Sequence, residues 1–169
     1  MQVPLVVMTD KRHTQEALLN AAVLRWIKDV SPQGILMTDA ELRIVGWNQW
    51  LEHHTGRSVS EILGQNLLTA FPELVERGLH RYYNWALEGQ VRVLSQRLHG
   101  HLLEMPAPAQ PNSPVQMQQS ARISPLNSEG RVIGTITIIE DVTERVLREA
   151  ELQAQIEGRS QLLASEKGM

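Results

Sequence analysis

Apolar residues recur at helical spacing between Thr14 and Val30, where Leu19, Val23, Trp26, Ile27 and Val30 share one stripe. Asp10 or Thr14 is placed to cap this helix, and Ser31-Pro32 to end it. Such a helix must bury its stripe on the domain that follows or on a second copy of itself. Val3 to Met8 reads as a short strand. From Gly34 the texture changes to short apolar runs separated by turns. Gly34 to Asp39 and Arg43 to Trp47 read as a hairpin joined through Ala40, Glu41 and Leu42. Asn48 to Thr55 is helical in composition, and Gly56 suits a left-handed stop. Ser58 or Ser60 caps a further turn through Glu61, Ile62 and Leu63, which Gly64 ends. Pro72 opens another helix, and Leu79, Tyr82, Tyr83 and Ala86 form the stripe of one that Gly89 closes.

The second half is strand-like, with runs at Gln90 to Leu98, Val115 to Ser124 and Arg131 to Glu140. In the middle run Val115, Met117, Gln119, Ala121 and Ile123 alternate with Gln116, Gln118, Ser120, Arg122 and Ser124, the period of a sheet with one wet face. The last run is apolar on both faces, with Val132, Ile136 and Ile138 on one side and Ile133 and Ile139 on the other. A flanking helix or a partner subunit must therefore cover its outer side. Four prolines between Met105 and Pro114 mark an extended loop that resists ladder pairing. A hairpin, a cluster of short helices and a three-stranded meander predict an α+β domain, an antiparallel sheet with helices on one face. Residues 31–141 form this domain, 1–30 an N-terminal flank and 142–169 a C-terminal helix.

Composition narrows the classes of function. The 169 residues are 42% apolar and 21% charged, with a formal charge of −3 and both signs interleaved, so no basic stripe for nucleic acid forms. No apolar run approaches the roughly 20 residues that span a bilayer, and the first residues lack signal-peptide features, which makes the cytoplasm the expected compartment. Cysteine is absent, which removes disulfides, thiolate nucleophiles and sulfur-linked chromophores. There is no G-x-S-x-G elbow, Walker loop or H-E-x-x-H, and an exposed helix face accounts for Glu73 and Glu76, so no enzyme activity is expected.

Two blocks in the right order resemble the PAS sensor family. Thr38 to Asn48 (TDAELRIVGWN) with His54 to Gln65 (HTGRSVSEILGQ) is similar to the family's hairpin, helix-opening asparagine and Thr-Gly turn. Ile123 to Arg145 (ISPLNSEGRVIGTITIIEDVTER) is similar to its last two strands and exit motif. The resemblance implies a five-stranded antiparallel sheet cupping a small cavity. It also implies a sensory module of bacterial signal transduction, including two-component regulation, that acts on an output domain or partner protein and often dimerises through flanking helices. It fixes no ligand, since such domains carry haem, flavin, organic acids, lipids or nothing.

The residues bear on each of these chemistries. A flavin–cysteine adduct has no thiol here, although Trp47, Trp50 or Trp85 could line a non-covalent flavin. His80 lies on the helix where haem-binding relatives place their ligand, but the matching position falls nearer Gly78. A two-residue offset rotates a side chain by about 200°, which turns His80 away from the pocket. His99 with His101, and His53 with His54, lack a third ligand at metal spacing. A small apolar or amphipathic ligand would lie between the helix Leu79 to Leu87 and the sheet, against Leu79, Tyr82, Tyr83, Ala86, Val93, Met117, Ile123 and Ile136. The same residues fill a solid core on the simpler reading, which leaves a ligand-free interaction domain as the alternative.

Asp141, Thr143, Glu144 and Arg145 form the expected signal-transmitting junction. Asp141 is placed as a helix N-cap and Glu144 three residues on, at capping-box spacing, with Arg145 free to pair back onto the domain. Beyond it Ile139, Val142, Val146, Ile156 and Leu163 approximate a 3.5-residue seam, interrupted by Glu149, Gln153 and Ser160 and weakened by Gly158. The expected assembly is a homodimer through Thr14 to Val30, the tail, or both. Its output would be a further domain or a separate protein.

Overall fold

The computed structural model describes the backbone of residues 5–109 and 114–167 and the side chains of 13–109 and 114–161. β1 (Gly34–Asp39) and β2 (Ile44–Trp47) pair as the expected antiparallel hairpin. β5 (Arg131–Asp141) lies on the other side of β1, followed by β4 (Gln119–Ser128) and β3 (Arg92–Leu94). The order is β2-β1-β5-β4-β3 with every pair antiparallel, so the first and last strands meet at the centre. Their close approach requires glycine at 134, because a Cβ there would lie 1.9 Å from the Thr38 carbonyl oxygen.

One face of the sheet is closed by α2 (Gln49–Thr55), α3 (Val59–Ile62), α4 (Leu67–Ala70), α5 (Glu73–Glu76) and α6 (His80–Leu87). Leu36, Ile44, Leu51, Leu67, Leu74, Tyr83, Met117 and Ile123 form the centre of the resulting core. Each such side chain contributes about 1.5–3 kcal/mol by leaving water. Asn48 ties three elements together at one edge of this core. Its Oδ1 accepts from the N–H groups of Ile35 and Leu51, which caps α2, while its amide donates to the Gln33 carbonyl at 2.8 Å. Gly56 ends α2 in the left-handed conformation at φ 69°.

The opposite face meets α1 (Leu5–Asp29). Leu24, Ile27 and Lys28 share a cleft of about 280 Å³ with Ile35, Met37 and Val45 of that face. Leu18, Leu19, Val23, Leu24, Trp26 and Val30 remain exposed.

Several expected boundaries move. The strand expected at Val3 to Met8 is helical from Leu5, since an apolar run that short fits either period, and Val3 and Pro4 lie outside the described residues. The helix therefore begins well before Thr14. Only Arg92–Leu94 of the Gln90 to Leu98 run is strand. Ser95 then turns the chain into α7 (Gln96–His99), a single turn that Gly100 ends at φ 72°. β4 begins at Gln119 rather than Val115 and continues to Ser128. Within the proline-rich segment Ala107 donates to the Val115 carbonyl and Met117 to the Met105 carbonyl, so the prolines leave room for partial pairing.

Candidate functional site

α6 presents Leu79, Tyr83 and Ala86 to the inner face of the sheet at a spacing of four and three residues. Tyr83, Ala86, Met117 and Ile123 retain no surface that a water molecule can touch, and Leu79 retains 4%. No water-sized void borders the first four. The Tyr83 hydroxyl accepts from Thr137 Oγ1 at 3.2 Å, and burial pushes the phenol above its ordinary range despite that bond. Thr38 and Thr135 share a second buried hydroxyl pair at 2.8 Å. Tyr82 is half-buried, with its hydroxyl 3.0 Å from His99 Nε2. His99 Nδ1 lies 3.1 Å from the Ser95 carbonyl, which can only accept, so in the neutral ring Nε2 accepts the Tyr82 proton.

Val93 and Ile136 do not join this group. Val93 pairs with Arg122 and is 57% exposed, on the face away from Leu94 and α6. Ile136 is half-buried on that same outer face, because Thr135 and Thr137 take the inward positions of β5. Their assignment to the inner face is corrected by the register.

Haem and flavin do not fit between α6 and the sheet in this closed arrangement. Tyr83, Ala86, Met117 and Ile123 are fully buried there, and His80, at the start of α6, stands outside the buried Leu79–Tyr83–Ala86 stripe. The tryptophans do not converge on one ring site. Trp47 stacks on Phe71, Trp50 on His54, and Trp85 lies under the Arg92 guanidinium. Among the described residues no group of three or more His, Cys, Asp or Glu side chains could hold a metal ion.

At the exit from the sheet, Gln118, just before β4, and the start of α8 (Thr143–Lys167) interlock. The Val142 N–H donates to the Gln118 carbonyl at 2.8 Å, and the Gln118 N–H donates to Thr143 Oγ1 at 2.9 Å. Val142 and Thr143 are both buried. Asp141 Oδ1 accepts from the Thr143 N–H at 2.9 Å. The first helical bond of α8 goes to the Val142 carbonyl, so Val142 takes the cap position and Asp141, the expected cap, stands one residue outside it. Glu144 pairs with Arg148 one turn on, and no capping box forms. Arg145 is exposed and lines a cleft of about 210 Å³ with Ser95, Gln96, Arg97, Ser120, Val146 and Glu149.

Gln119, the next residue and the first of β4, completes the seam. It is 2% exposed, and its Oε1 accepts from the N–H groups of Leu102 and Leu103 while Nε2 donates to the Leu103 carbonyl at 2.7 Å. Its own N–H donates to the Gly100 carbonyl. Two consecutive residues thus hold the segment 100–103 on one side and the exit helix on the other. The signal for Gln119 was present in the sequence, as a polar residue on the apolar face of its strand.

A five-stranded antiparallel sheet with short helices on one face and a helix leaving from its central strand defines the class: an open-sheet α+β fold. A family model described as the PAS fold matches residues 29–147, and the chain belongs to this family. Among solved structures it is similar to a sensory box sensor histidine kinase from Vibrio cholerae, at 24% identity and TM-score 0.53, covering 80% of this chain and 98% of that one. The PAS domain of BvgS from Bordetella pertussis matches at 20% identity and TM-score 0.52, covering 82% and 98%. An RNA-binding light-oxygen-voltage receptor gives 24% identity and TM-score 0.58, covering 83% of this chain but 38% of that one. These likenesses show the fold. No curated protein sequence matches.

Proposed function

We propose that this chain is the regulatory input module of a signalling protein, with residues 31–141 as the sensing domain and 142–169 as the helix that carries its state to an output. The observation that carries this reading is the paired exchange between Gln118 and the Val142–Thr143 step, which makes the start of α8 part of the sheet's hydrogen-bond network. A helix tied in this way changes its exit geometry when β4 shifts. A ligand or partner biases that shift only through different affinity for the two arrangements.

The exposed stripe of α1, with Leu19, Val23 and Trp26, supports a homodimer through the flanking helices. Sedimentation equilibrium tests this. A dimer that Trp26→Glu dissociates is expected, and a monomer at high micromolar concentration, unchanged by that substitution, would count against it.

In the ligand-sensing version, a small apolar or amphipathic molecule enters beside Leu79, Tyr82, Tyr83, Ala86, Met117 and Ile123 by opening the core. The full burial of Tyr83, Ala86, Met117 and Ile123 favours a second reading, a ligand-free domain that senses a partner protein. Native mass spectrometry of the purified protein, with absorbance above about 350 nm for haem or flavin, separates the two by showing a bound molecule or none.

A further inference from the structure

Segment 99–103 is held from two directions, and one of its clamps lies beside a titratable ring. Arg77, in the turn after α5, donates through Nη2 to the carbonyls of His99 and His101, each at 2.7 Å, and through Nη1 to that of Leu102 at 3.4 Å. Gln119 holds Gly100, Leu102 and Leu103 from the sheet side. Within the segment His101 is half-buried, and its Nε2 has neither solvent nor a hydrogen-bond partner. A proton placed on that nitrogen has no acceptor in the closed arrangement.

We propose that His101 and Arg77 form an acid-sensitive clasp: protonation of His101 releases segment 99–103 from Arg77 and Gln119, and through Gln119 and Gln118 loosens the start of α8. The last step rests on the relay reading above; the clasp itself does not. Burial of the ring and the Arg77 guanidinium hold His101 below the ordinary histidine range, and the Glu104 carboxylate opposes them without reversing the direction. Of the neighbouring rings, His99 is engaged by Ser95 and Tyr82, and His80 at the start of α6 also has a buried nitrogen, Nδ1, without a partner.

The open segment exposes the ring and binds the proton more readily than the closed one. The clasp is therefore fully stable above the ordinary value of 6.5 and weakens as pH falls below it. For a closed ring that takes up no proton, lowering the pH from about 7.5 to about 5.5 raises the open population about tenfold.

Amide exchange of the whole chain, read residue by residue by NMR and corrected for intrinsic rates, tests the clasp. Protection of Leu102, Leu103 and Val142 is expected to fall over that pH interval, by at most about tenfold, and to lose this dependence in His101→Gln but not in His80→Gln. The His101 ring should titrate below 6.5 in the unmodified protein, a measurement that needs no variant. Protection independent of pH, an equal fall in His101→Gln, or a His101 ring titrating at or above 6.5 would each overturn the proposal. Loss at Leu102 and Leu103 with Val142 unchanged would uphold the clasp and count against the relay.

Discussion

Gln119 uses its side-chain amide and its backbone N–H within a few ångströms of fully apolar neighbours. Replacing it with leucine leaves two buried N–H groups and one carbonyl without partners, each costing about 1–3 kcal/mol. Gln119→Leu should therefore lower unfolding stability by about 3 kcal/mol or more, measured by urea denaturation. Gln118→Ala keeps the backbone bonds to Val142 and Thr143, loses only part-buried side-chain bonds to Gln96 and Gln116, and should cost less than Gln119→Leu. Equal losses from the two would remove Gln119 from its central place. Ala86 offers a second test at this scale. With no void beside it, Ala86→Trp should destabilise by at least the roughly 1–3 kcal/mol typical of overpacking, whereas thermal stability close to that of the unmodified protein would reveal hidden room for a ligand.

Among the elements, the joint between β1 and β5 and that between β4 and α8 matter most. Gly134→Ala would drive a methyl group into the Thr38 carbonyl and should exceed the cost of ordinary overpacking, seen as a large drop in melting temperature. Thr143→Val removes the acceptor of the Gln118 N–H in a buried place. A loss of about 1–3 kcal/mol is expected, together with faster proteolysis in the first turns of α8 and little change in β1. The elements also show what the sequence could convey. Asn48, Gly56 and the Leu79–Tyr83–Ala86 stripe were legible because each depends on neighbours within a few residues. Val93 and Ile136 were not, since strand parity depends on the pairing of Arg92 with Ile123 and of Ile136 with Met37, contacts distant in sequence. β5 compounds this by turning Thr135 and Thr137 inward, so the apolar residue is the wrong guide to the core face. The interlock at Gln118 was hidden for a related reason, because Gln118 enters it through its backbone groups, which carry no residue signature, and only Thr143 contributes a side chain.

At the scale of the whole molecule, the sheet joins an inner core closed by α2 to α6 with an outer face that α1 covers in part. Among the described residues no helix is long and apolar enough to cross a membrane. In the proposed function the exit helix reports the state of the sheet through the Gln118–Gln119 seam. Because the chain has no cysteine, single sites can be labelled without background. Spin labels at Ala40→Cys and Ser160→Cys, diluted with unlabelled protein, give the distance between the hairpin turn and α8. A narrow distribution that broadens or shifts when Gln119→Leu is added to a still-folded protein is the expected result. An unchanged distribution in that folded variant would contradict the account.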